Sequence, residues 1–101
     1  MFGRSRFAKP VAAQLDLFLR EQRDVVAEVE QRLAAYNRAD RSEAEELYGD
    51  YVDALETGAE ILAEMRDHYA RTLDDADDYV HAFNRAVAQR LPAYAAAVES
   101  L

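Results

Sequence analysis

The chain has no cysteine and no tryptophan, a single lysine, three glycines and two prolines among its 101 residues. Each shortage removes a class of protein. Without cysteine there is no disulfide scaffold and no thiol chemistry, and the composition suits a reducing compartment, so the cytoplasm is the expected location. Without tryptophan, the secreted helical hairpins built on a W-x-G turn are excluded. Three glycines are too few for phosphate-cradling loops. No stretch approaches the roughly 18 consecutive apolar residues that would cross a membrane. The N-terminal run Met-Phe-Gly-Arg-Ser-Arg-Phe-Ala-Lys-Pro is basic but leads into no unbroken apolar segment, so a secretory signal is not expected. No run alternates with the period of two that a strand needs.

What is present favours helix. There are twenty alanines and eleven arginines, and both are good helix formers. Apolar residues make up 50% of the chain, enough for the core of one domain. The expected organisation is a flexible basic N-terminal arm over residues 1–9 and one helical-bundle domain over 10–101. The arm alternates Arg4, Arg6 and Lys9 with Phe2 and Phe7. Two aromatics in nine residues give only marginal membrane affinity, so disorder, or packing of Phe7 on the end of the bundle, is the plainer expectation.

Three amphipathic segments follow. From Pro10, a residue suited to a first helical turn, Val11, Leu15, Phe18, Val25, Val29, Leu33 and Tyr36 recur at helical spacing, with Gln22 in the one missing step. This predicts a helix over 10–38. Ser42 and Glu45 read as a capping box that opens a second helix. Along it Ala44, Tyr48, Tyr51, Leu55, Gly58, Leu62, Met65, Tyr69 and Thr72 step by four and three without a miss. Arg66 and Arg71 fall near its end, where the helix dipole favours cations. Asp74, Asp75, Asp77 and Asp78 crowd the next start, and Ala76, Val80, Phe83, Val87, Leu91, Tyr94 and Val98 continue the pattern. Pro92 interrupts this third run, predicting a kink or break after Arg90 or Leu91. The expected fold is all-α: an antiparallel three-helix bundle of long amphipathic helices, the third one broken near Pro92.

The net charge of −8 is unevenly spread. Residues 40–78 hold fourteen acidic and three basic side chains, so the folded body should repel a phosphate backbone and bind no nucleic acid. Glu46, Asp50, Asp53, Glu60, Glu64 and Asp67 keep the four-three rhythm two residues behind the apolar seam, about 200° round the helix. They therefore look outward. A solvated face is the plain explanation, and a docking ridge for a basic partner the sharper one.

The same geometry argues against a di-iron carboxylate protein, which needs inward glutamates and Glu-x-x-His motifs. The seam of the second helix carries no carboxylate, and the chain has no Glu-x-x-His. A weaker divalent-metal site is conceivable where His68 and His81 flank the second loop, with Glu64 and Asp78 one turn before them. Two independent surface histidines are the plain alternative. The only serines are Ser5 in the arm, Ser42 at a helix start and Ser100 near the chain end, so no Ser-His-Asp set stands out.

Tyrosine is abundant, six residues against no tryptophan. Tyr36, Tyr48 and Tyr51 should gather near the first loop, as an amphipathic core boundary, a subunit interface or the lining of a small-ligand pocket. Gly58 lies in the seam itself, where glycine costs about 1 kcal/mol relative to alanine. A close-approaching helix or aromatic ring would account for it, and Gly49 could serve the same way. The sequence thus points first to a non-enzymatic protein acting by association, as a homodimer or with a protein partner. A metal-binding or redox protein and a ligand carrier stand as alternatives.

Overall fold

The computed structural model describes residues 6–101; residues 1–5 of the expected arm lie outside the described residues. All regular structure among the described residues is helical. The described residues form five helices where three were expected: α1 Ala8–Glu21, α2 Arg23–Arg38, α3 Ala44–Ala70, α4 Ala76–Arg90 and α5 Ala95–Glu99, with a 3-10 turn over Pro92–Tyr94 before the last.

The extra division falls in the expected first helix, at the gap in its stripe. Gln22 leaves helical geometry (φ −113°, ψ 36°), although its N–H still reaches the Phe18 carbonyl at 2.8 Å. The bend aims the two halves at different partners. α1 buries Val11, Leu15 and Phe18, whereas α2 buries only Val29. Helix α1 begins two residues before Pro10, and Phe7 packs edge-on against Tyr79 at 5.5 Å. Arg6 pairs with Asp75, so the end of the expected arm belongs to the folded body.

The start of α3 is held differently from the predicted capping box. Neither Ser42 nor Glu45 caps it. Asp40 accepts from the Ser42 hydroxyl at 2.7 Å and from the Glu43 N–H at 3.2 Å, forming a side-chain turn one step earlier. The Ser42 hydrogen bond, followed by the backbone N–H groups, holds the Asp40 carboxyl below its usual range. The break near Pro92 falls where the sequence placed it: α4 ends at Arg90, Leu91 leaves helical geometry, and the chain turns back through Pro92–Tyr94.

The molecule is elongated, 50 × 23 × 22 Å, and its two ends are built unlike one another. At one end α1, the second half of α3, α4 and α5 enclose a core of Leu15, Phe18, Leu62, Tyr79, Phe83, Val87 and Val98, each fully buried. Helices α1 and α4 run side by side in the same direction, Phe7 meeting Tyr79 low down and Asp16 meeting Arg90 at 2.8 Å higher up. At the other end α2 and the first half of α3 continue alone as a two-helix hairpin.

Tyr94 closes the top of the core. Its ring lies edge-on to Phe18 at 5.9 Å and rests on Gly58, where an added Cβ would come within 2.5 Å of the ring. The glycine in the seam is explained by this approach. Gly49 has no such role, since nothing lies within 4 Å of where its Cβ would be.

Candidate functional site

The hairpin is the unusual surface. No residue between Glu30 and Thr57 is buried. The same four-three seam that forms the core lower down passes into this region and is left partly open. Leu33 is 37% exposed and Tyr48 50%, two of the three most exposed large apolar side chains among the described residues. The expected tyrosine cluster forms here. Tyr36 and Tyr48 lie 5.2 Å apart at a tilted angle, and Tyr48 and Tyr51 6.1 Å apart. Such rings offer broad apolar faces while their hydroxyls reach water, the pattern of aromatic side chains at interfaces. The trio sits on the outside of the hairpin around a half-exposed ring, not inside a closed core.

The acidic residues of α3 are on its outer side. Glu46, Asp53, Glu60 and Glu64 are exposed, and Asp50 and Asp67 are half-buried. Asp50 lies 3.6 Å from Arg32, which also donates to Glu28 at 2.7 Å. Exposed pairs of this kind contribute little to stability. They do fix Arg32 across the hairpin on one side, and the bond to Glu28 raises its pKa above the ordinary guanidinium value.

The four metal-ligand candidates do not share a site. His68 and His81 are both exposed. His68 lies with Glu64 and Arg71 beside Gln14 and Leu17 of α1. Asp78 lies 4.0 Å from Arg6. Among the described residues no three or more histidine, aspartate and glutamate side chains are arranged to hold a metal ion.

Arg66 plays a part that periodicity did not suggest. It is 3% exposed, the one charged side chain in the core among the described residues. Its Nη1 donates to Asn84 Oδ1 and to the Val98 carbonyl, both at 3.0 Å, and its Nε donates to Asp67 Oδ1 at 2.8 Å. A buried guanidinium is tolerated only when its donors are matched in this way. The Val98 carbonyl lies in the last turn of α5 and also accepts from the Leu101 N–H at 3.1 Å. Arg66 thus fastens the returning C-terminal segment to α3 and α4. The sequence signal was there: Arg66 stands four residues after Leu62 and eight after Gly58, in a buried column.

Two buried phenols complete the lower end. Tyr79 and Tyr94 find no protein hydrogen-bond partner for their hydroxyls among the described residues. Burial, with Tyr69 nearby, pushes the Tyr79 phenol up to about 12. Burial also raises Tyr94, aided by Glu30 and Tyr51. Those last two residues belong to α2 and α3 at the foot of the hairpin, so the core's top and the open seam are contiguous. No helix among the described residues is long and apolar enough to cross a membrane. Comparison with protein-family models, with curated proteins and with solved structures finds no match to this chain.

Proposed function

We propose that this protein works by association rather than by catalysis, pairing with a second copy through the open face of the α2–α3 hairpin, in the cytoplasm. The observation that carries this reading is the run from Glu30 to Thr57, which buries no side chain although it holds Leu33, Tyr36, Leu47, Tyr48, Tyr51, Val52 and Leu55. A two-helix ribbon has too little depth to cover its own seam. Two ribbons meeting about a two-fold axis make a four-helix cross-section, the arrangement the chain already adopts at its other end.

The acidic residues do not obstruct such pairing. Glu46, Asp53, Glu60 and Glu64 point away from the seam into water, and salt would further screen their mutual repulsion.

Sedimentation equilibrium tests the proposal. The chain should sediment at about twice its 11.4 kDa mass, and more fully so as salt is raised. The double variant Leu33→Asp, Tyr48→Glu should sediment as a monomer with unchanged helical content. A wild-type chain that is monomeric at every concentration, or a dimer indifferent to that double variant, would contradict it.

A further inference from the structure

A second surface lies on the opposite end of the molecule and does not rest on the hairpin reading. Between α1 and α4 runs an open trough of about 320 Å³. Its walls are Ala8 and Ala12 on one helix and Ala82 and Ala86 on the other, each pair one turn apart, with Val11 and Leu15 beneath. Four methyl-sized walls between two helices running in the same direction leave a straight channel into which a further helix can settle closely.

The lip of this trough carries two basic side chains. Arg85 and Arg90 both line it. Arg90 reaches across to Asp16 at 2.8 Å. Arg85 is exposed and makes no ion pair among the described residues. An apolar floor beside an unpaired guanidinium selects an apolar ligand that carries negative charge at its flank.

We propose that this trough binds an acidic amphipathic helix of another protein, its apolar stripe on the alanine walls and a flanking carboxylate on Arg85. A second copy of this chain fits poorly. A two-fold pairing at this surface would bring Arg85 and Arg90 of both copies into one interface, where Asp16 is already engaged by Arg90. The outward side of α3 has the acids, but Gly49, Glu56 and Thr57 stand between them, with no apolar side chain to fill the floor.

The test uses a synthetic amphipathic peptide of about 18 residues, five helical turns, with leucines along one stripe and glutamates beside it. A matched peptide carrying lysines in place of the glutamates is the control. Binding is followed by fluorescence anisotropy and by amide chemical-shift changes in the full-length protein. The acidic peptide should bind saturably, with shifts confined to Ala8–Leu15 and Ala82–Arg90, and the lysine peptide should not. Arg85→Glu should weaken the acidic peptide at least about tenfold and gain binding of the lysine peptide. Several results would overturn the proposal: no saturable binding, equal binding of both peptides, or shifts on the α2–α3 hairpin instead. Dodecanoate producing the same shifts at lower concentration would also overturn it, assigning the trough to a small amphiphile.

Discussion

Leu62 and Leu33 are the same residue type on the same kind of helical stripe, yet one is fully buried and the other more than a third exposed. The difference lies in their neighbours. Leu62 stands where α1, α4 and α5 all close on α3, whereas Leu33 stands where α2 and α3 have only each other. An amphipathic pattern therefore reports which side of a helix is apolar, and the rest of the fold decides whether anything covers that side. In this chain the cover runs out where Pro92 turns the last segment back.

The contrast can be broken most sharply by making one substitution at both ends. Leu62→Ala should lower the unfolding free energy by about 2–5 kcal/mol, the range for a large-to-small change in a packed core. Leu33→Ala should lower it by no more than about 1 kcal/mol in dilute solution. Urea unfolding of the two variants checks both. Equal losses would mean that the hairpin is as well covered as the body.

The two helical glycines give a second paired comparison, with opposite signs. Gly58→Ala drives a methyl into the Tyr94 ring and should destabilise by about 1–3 kcal/mol. Gly49→Ala meets open space and should stabilise by about 1 kcal/mol, since alanine is the better helix former. Thermal melts suffice. A stabilising Gly58→Ala would show that Tyr94 can move aside at no cost.

The core end also carries a pH dependence. Tyr79, in the lower core, has its phenol raised from 10 to about 12 by burial. A raised pKa means that the folded state holds the proton more tightly than the unfolded chain. Its stabilising contribution is therefore whole below pH 10 and is lost as pH rises toward about 12. Tyr79→Phe should remove this part of the alkaline loss, and it should not lower stability at neutral pH, since the hydroxyl has no protein partner among the described residues. An unchanged alkaline profile in the variant would show that Tyr79 is not the group responsible.

Much of this was legible in the sequence, because it depends on local rules. The α3 seam, the break at Pro92, the gathering of Tyr36, Tyr48 and Tyr51, and the reason for Gly58 all follow from helical spacing and side-chain size. The gap at Gln22 was visible too, but a polar residue in a stripe does not say that a helix bends. The bend exists because α1 and α2 have different partners, and that is a tertiary matter. The cap at Asp40 was missed because Ser42 and Glu45 match the commoner motif, while the aspartate acts one step earlier. Arg66 was read as a cation near a helix end, since its burial depends on α4 and α5 bringing Asn84 and the Val98 carbonyl to it. The exposed seam of the hairpin is the deepest case: the pattern of an uncovered face and a covered one is the same.

The central claim, that the hairpin face is open in one copy and covered by another, is tested most directly by amide hydrogen exchange at two protein concentrations. The core amides of α1, α4 and the second half of α3 should be equally protected in dilute and concentrated solution. Those of residues 30–57 should exchange quickly when dilute and slow markedly when concentrated. Protection of residues 30–57 that is high and independent of concentration would contradict the account.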